Sequence, residues 1–323
     1  MTGAATTDDL LARFREGDRW ACGRLITLAE NRDPGFPALL AQVWDGVGDA
    51  WRTGITGPPG VGKSTLVNAL AGQLADAGRS VGVLAVDPSS PFTGGALLGD
   101  RIRMTCAVEA ERRDGVFVRS MATRGSLGGL AQAAPDACDV LDAFGNAEVI
   151  VETVGVGQAE WDVAGACDTV VVVLHPHGGD GVQFLKAGIL EQADAFVINK
   201  ADLPGADKAH AELADALSYR AAGSDGAWEP PILETVATDG TGVAEVTAAL
   251  EAHRSWLEES GAKDAARSAK LEERVRRGVE EELLHRLWER GTGDLHAALS
   301  NGSRVPHAVV DELVEKLDGG DRS

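Results

Sequence analysis

Short, nearly continuous apolar runs alternate along this chain with segments of helical periodicity. The runs are Val81–Val86, Val116–Val118, Val149–Val151, Val170–Leu174, Ala195–Ile198 and Ile232–Leu233. They are rich in β-branched residues, as strands buried on both faces are. Another candidate strand, Trp51–Thr56, leads into a Gly-rich loop, after which Thr65–Leu70 continues a helical pattern. The connections between runs are long enough for crossover helices. The predicted fold class is therefore α/β, a doubly wound and mostly parallel sheet. Ligands of such sheets bind beyond the carboxyl ends of the strands.

Helical extensions flank this region. Leu10, Leu11, Phe14, Leu25, Ile26 and Leu28 form an apolar stripe over residues 8–30, interrupted at Gly17-Asp18. Residues 34–50 hold a further helical stretch, opened by Pro34 and Pro37. After residue 254, Leu271, Val275, Val279, Leu283, Leu284, Leu287 and Trp288 recur at helical spacing among Glu and Arg, and Pro306 starts a last short helix. Such a stripe must be buried, on this chain or on a second copy. The expected organisation is an N-terminal helical segment (1–50), a phosphate-loop domain (51–253) and a C-terminal helical arm (254–323), a possible dimerisation element.

Composition narrows the function classes. The chain has 323 residues, 44% of them hydrophobic, with a net charge of −20. That charge argues against non-specific nucleic-acid binding and against docking on anionic membranes. Cys22, Cys106, Cys138 and Cys167 are far apart, as in a cytoplasmic protein with reduced thiols. The N-terminal residues lack the basic and apolar regions of a signal peptide, and Val170–Leu174 is too short to span a bilayer.

The chemistry is carried by several motifs. Gly57-Pro58-Pro59-Gly60-Val61-Gly62-Lys63-Ser64 fits the phosphate-loop pattern G-x-x-x-x-G-K-S/T at every fixed position, with Thr65 following. Such a loop wraps a polyphosphate in backbone N–H groups; Lys63 reaches the terminal phosphates and Ser64 ligates Mg²⁺. Asn199-Lys200-Ala201-Asp202 follows an apolar run and matches the guanine-reading pattern N-K-x-D. An Asp carboxylate accepts from guanine N1–H and the N2 amine, groups that adenine lacks. Glu152 ends the run Val149–Val151, where phosphate-loop enzymes carry a Mg²⁺-organising acid, and Gly155 is placed to donate its N–H to the γ-phosphate. Asp87 at the tip of the second run, and Asp100 after the next Gly-rich loop, are further candidates to hold Mg²⁺ or orient the attacking water; each also suits a capping role. The candidate catalytic groups are Lys63, Asp87 and Glu152, and the candidate metal ligands Ser64, Asp87, Asp100 and Glu152. His175-Pro176-His177 supplies too few ligands for a metal site and reads better as the start of a Gly-rich loop.

With these residues quoted, the chain resembles the MeaB/ArgK-type P-loop GTPases, the methylmalonyl-CoA mutase-associated members of the SIMIBI class. The resemblance covers about residues 8–250 and extends to Val86–Gly95, Leu98–Met104, Thr123-Arg124-Gly125, Leu127–Leu130 and Glu152–Gln158. It implies GTP/GDP as ligand, Mg²⁺ as cofactor, slow hydrolysis without a partner, and homodimers held partly by the C-terminal arm. It also implies a chaperone role towards an adenosylcobalamin-dependent acyl-CoA mutase, gating cofactor loading and protecting the enzyme. Asp87, Asp100 and Glu152 carry over as Mg²⁺- or water-organising groups. Val236, Ala237 and Thr238 fall where the family places its second guanine-binding loop. Three positions depart from the family pattern: Gly179–Phe184 lacks an acidic residue, Ser126 replaces a frequent His, and Val236 stands where a Ser is common. Alternatives are a nickel-delivery GTPase, a protein kinase linked to amino-acid transport, and a nucleotide-gated scaffold.

Overall fold

The computed structural model describes residues 7–87, 114–122, 129–153, 165–176, 190–218, 227–291, and 305, 307, 308 and 310. Its centre is a seven-stranded sheet whose pairings are all parallel. In chain order the strands are β1 (Trp51–Thr56), β2 (Val81–Asp87), β3 (Val116–Ala122), β4 (Glu148–Thr153), β5 (Thr169–Leu174), β6 (Ala195–Asn199) and β7 (Ile232–Thr235). Their spatial order is β3-β2-β4-β1-β5-β6-β7. Every residue of β4, β5 and β6 is buried, which explains their unbroken apolar character. β3 continues past the apolar run through Arg119 and Ser120, which an edge strand tolerates because one flank is unpaired.

Helices cover both faces. On one side α1 (Thr7–Arg15), α2 (Arg19–Glu30), α3 (Phe36–Ala41) and α5 (Gly129–Ala143) share a core with Leu84, Val86, Phe117, Met121, Val149 and Val151. On the other, α4 (Lys63–Asp76) and α7 (Val243–Glu259) pack on Ile55, Val83, Ile150, Val171 and Val197. A third cluster joins Leu213 of α6 (Ala206–Ser218) to Val172 and Phe196. Asp18 starts α2 by accepting a hydrogen bond from the Trp20 amide at 2.8 Å. The stretch 34–50, expected to be helical, holds only α3 and a 3₁₀ turn at Trp44–Gly46, after which Gly48 takes φ +127° and turns the chain away from the helical region.

Two compact units result, Met1–Ala266 and Arg267–Ser323. The N-terminal helices belong to the same unit as the sheet, and α7 runs through the 253/254 boundary suggested by the sequence. Helix α8 (Ala262–Gly291), most of which belongs to the second unit, exposes Leu271, Val275, Val279, Leu283 and Leu284. Its polar face is laced by Arg276–Glu273, Arg276–Glu280 and Arg286–Glu282 pairs. Among the described residues no helix is long and apolar enough to cross a membrane.

Polar clamps close the amino-terminal edge of the sheet. Arg52 pairs with Asp139 at 2.8 Å and Asp142 at 2.9 Å, and the Asp142 carboxylate also accepts from the Gly48 and Ala50 amides, both at 2.9 Å. His253 of α7 is buried; its Nδ1 is 2.9 Å from the Thr169 hydroxyl, to which Trp51 Nε1 donates at 3.1 Å. Glu148 begins β4 beside Arg79 and Arg254. Burial raises its carboxyl from 4.5 to about 7, and the two guanidiniums pull the other way without offsetting it. The folded chain therefore binds a proton more tightly at Glu148 than the unfolded chain does. The resulting stabilisation is complete below the unfolded value of 4.5 and is lost as pH rises through about 7. We expect wild-type stability to fall by about 3 kcal/mol more than that of Glu148→Gln across this window. Urea unfolding of both proteins at a series of pH values checks it.

Candidate functional site

Four of the motifs meet at the carboxyl edge of the sheet. β1 ends at Thr56 and the chain turns at once into Gly57, whose φ is +141°. A Cβ at Gly57 would lie 2.1 Å from the Val173 carbonyl oxygen of β5, so only glycine lets the loop pass. Gly62 precedes α4 with φ +96°, and a Cβ there would lie 2.4 Å from Asn199 Nδ2. The loop thus delivers the positive end of α4 to its own concave side.

Lys63 and Ser64 open that helix. Lys63 is only 5% exposed, and its Nζ donates to the Gly57 carbonyl at 2.6 Å and the Pro58 carbonyl at 2.9 Å. The ammonium therefore lies under the loop it serves. The Ser64 hydroxyl donates to Glu152 Oε1 at 2.5 Å. Glu152 is 7% exposed and sits opposite Ile55 in the β1–β4 register, one residue before the end of β4. The next residue, Thr153, donates its hydroxyl to that of Thr56 at 3.0 Å and ties the two strand ends together. A hydroxyl and a buried carboxylate side by side form an oxygen donor pair of the type a hard divalent cation takes, so these residues fit Mg²⁺. Asp87 ends β2, one position beyond the Val86–Thr153 register pair. Asp100 and Gly155 lie outside the described residues, as do Ser126, His177 and the loop 179–184.

Asn199 joins the phosphate loop to the end of β7 and the turn after it. Its Nδ2 donates to the Val61 carbonyl at 2.9 Å, while its Oδ1 accepts from the Thr235 hydroxyl at 3.0 Å and the Ala237 amide at 3.1 Å. Lys200 adopts φ +60° and its Nζ donates to the Gly60 carbonyl at 2.9 Å. The Ala201 amide donates to the Thr235 carbonyl at 3.0 Å, and Asp202 is exposed just beyond. The phosphate loop and the N-K-x-D segment are therefore hydrogen-bonded to each other directly. In the 236–238 loop, the Val236 amide donates to Thr241 and the Ala237 amide to Asn199, so two amides expected to face a base hold the loop itself together. Sequence reasoning missed the Thr56–Thr153 bridge and the Thr235 clamp. Their signal was a threonine at each strand terminus, Thr153 within the Glu152–Gln158 segment and Thr56 and Thr235 at the entry to the two loops.

Comparison with known proteins identifies the family. The family of methylmalonyl Co-A mutase-associated GTPase MeaB matches residues 22–292. The chain belongs to the MeaB family. MeaB-type relatives align over nearly the whole length. A protein of Pyrococcus abyssi is 45% identical over 330 residues, covering 97% of each chain. GTPase ArgK of Escherichia coli is 35% identical over 329 residues, covering 98% of each. A Caenorhabditis elegans mitochondrial protein, a methylmalonic aciduria type A homolog, is 34% identical and covers 85% of this chain and 72% of its own. The crystal structure of a LAO/AO transport system kinase superposes with a TM-score of 0.73 at 29% identity, covering 98% of this chain and 99% of that one.

The steric argument for this MeaB-type loop is testable. Gly62→Ala meets both a left-handed backbone and the Asn199 amide, whereas Gly78→Ala meets a left-handed backbone in open space. Gly62→Ala is expected to lose about 2 kcal/mol or more, and Gly78→Ala about 1 kcal/mol. Thermal unfolding of the two variants measures the difference.

Proposed function

We propose that the protein is a cytoplasmic, Mg²⁺-dependent GTPase that gates cofactor loading of an adenosylcobalamin-dependent acyl-CoA mutase and protects that enzyme. The observation that carries the nucleotide part is the direct bonding of Asn199 and Lys200 to the Val61 and Gly60 carbonyls. It makes one crevice with a phosphate end and a base end. The mutase part rests on the family to which the chain belongs and on the likeness to a methylmalonic aciduria type A homolog.

Each residue has a distinct task in this reading. The amides of the 57–64 loop and the start of α4 surround the phosphates, and Lys63 exchanges its loop carbonyls for phosphate oxygens. Ser64 and Glu152 hold Mg²⁺, with Asp87 and Asp100 as further groups that hold it or orient water. Bound Mg²⁺ neutralises charge on the β- and γ-phosphates. Gly155 donates its N–H to the γ-phosphate. Asp202 accepts from the guanine edge, Asn199 and Lys200 fix the wall behind it, and Val236, Ala237 and Thr238 close the base end. In this reading turnover is slow until a partner docks. The exposed apolar stripe of α8 supports a homodimer formed through this arm.

The likeness to a LAO/AO transport system kinase favours a second reading, phosphate transfer to a protein. The two differ in where the γ-phosphate ends. Labelled GTP incubated with the protein is expected to release free phosphate slowly, faster when a mutase is added, with no label retained on protein. Calorimetry tests the site itself. Lys63→Ala is expected to weaken GTP binding by about a hundredfold, the loss of a buried charge-assisted contact. Asp202→Asn is expected to reduce the GTP-over-ATP preference by about tenfold or more. Unchanged binding in the first variant, or an unchanged preference in the second, contradicts the assignment.

A further inference from the structure

A second candidate site lies away from the nucleotide crevice, in a groove between α2 and the edge strand β3. Its volume is about 370 Å³, and its walls include Arg19, Trp20, Arg24, Thr27, Phe117 and Arg119. Strands β2 and β4 separate β3 from β1, so this groove is remote from the phosphate loop in the sheet order. Among the described residues none that lines it is acidic, although the chain carries a net charge of −20. Asp18, which caps α2, is taken up by Arg13.

The three guanidiniums are held differently. Arg19 donates from Nη2 to the Val116 carbonyl at 2.8 Å and lies over the Phe117 ring, 5.3 Å from its centroid. Arg119 donates from Nη2 to the Thr27 hydroxyl at 2.7 Å, while its Nε is buried without a hydrogen-bond partner. Arg24 is exposed, and among the described residues no carboxylate pairs with it. Trp20 is 52% exposed, with Arg13 over its ring at 4.4 Å. Gly23 sits inside α2, where a Cβ would meet only Arg119 Nη1, at 3.9 Å. A side-chain-free position in the middle of the helix thus keeps the floor of the groove open.

Two like charges facing one concavity, Arg24 and Arg119, repel each other unless an anion joins them, and a buried donor without an acceptor is costly. Arginine forks match the paired oxygens of phosphate and carboxylate groups. The volume falls within the range of small-molecule pockets, roughly 300–1,000 Å³. We propose that this groove binds a compact organic dianion, a phosphate monoester or a dicarboxylate, with its charge between Arg24 and Arg119 and its apolar body against Trp20. A modest turn of the Arg119 guanidinium gives Nε the acceptor it lacks. The site is independent of the nucleotide reading.

The test is calorimetry on the full chain, kept in excess GDP and Mg²⁺, with phenyl phosphate and phenylmalonate as probes. Binding of either probe supports the site, and which of them binds more tightly tells phosphate from dicarboxylate. Arg24→Ala removes an exposed, unpaired side chain and is expected to weaken binding by about tenfold or more. Arg119→Lys, which keeps the charge and loses the fork, is expected to weaken it as well. Lys63→Ala is expected to leave probe binding unchanged. Absence of heat with both probes, wild-type affinity in the two arginine variants, or loss of binding in Lys63→Ala overturns the proposal.

Discussion

The Asn199 carboxamide is the constraint on which the site depends. It is 2% exposed and spends three hydrogen bonds on two segments: one on the phosphate loop at Val61, and two on the end of β7 at Thr235 and the turn that follows at Ala237. Each bond is worth about 1 kcal/mol net, but the groups it satisfies are buried, so losing the amide leaves donors and acceptors stranded as well. Gly62 has no Cβ because this amide occupies the space where one would stand. Loop geometry, strand register and glycine placement are consequences of one side chain in the middle of them.

The two edges of the sheet are built on different principles. The amino-terminal edge is locked by charged groups: Arg52 with Asp139 and Asp142, and the buried Glu148, its carboxyl raised to about 7, beside Arg79 and Arg254. Breaking one partner of such a set leaves an uncompensated buried charge, which is why these clamps hold the frame rigid. At the carboxyl edge the polar groups are held by neutral hydrogen bonds or by loop carbonyls, as with Lys63 and Lys200. Contacts of that kind can be traded for a ligand without dismantling the core. Rigidity at one end is what lets the other end be responsive.

Much of this was legible in the sequence, and the reasons differ by element. The central strands were readable because burial on both faces forces unbroken apolar runs, as in Val170–Leu174. The phosphate loop and N-K-x-D segment were readable because their chemistry admits few residue types at fixed spacing. β3 was read too short because Arg119 and Ser120 look like a loop, and only the edge position makes them a strand. The 34–50 stretch was read as too helical because its apolar residues have helical spacing, whereas α3 ends at Ala41 and Gly48 takes φ +127°. The Val236 and Ala237 amides could not be read at all, since a backbone donor leaves no mark on the sequence and its partner lies far away in the chain. The basic groove escaped for a similar reason: its arginines come from segments about a hundred residues apart.

The position of β3 carries one more consequence. An edge strand offers unpaired amides and carbonyls to any passing chain. Here the Val116 carbonyl is already claimed by Arg19, and Arg119 projects a charge from the same strand. The opposite edge, β7, is only four residues long and carries Glu234. Both flanks are therefore poor templates for sheet extension, and this acidic molecule is guarded against fibril-like stacking even when crowded. Self-association, where it occurs, is steered away from the strands and towards helical surfaces.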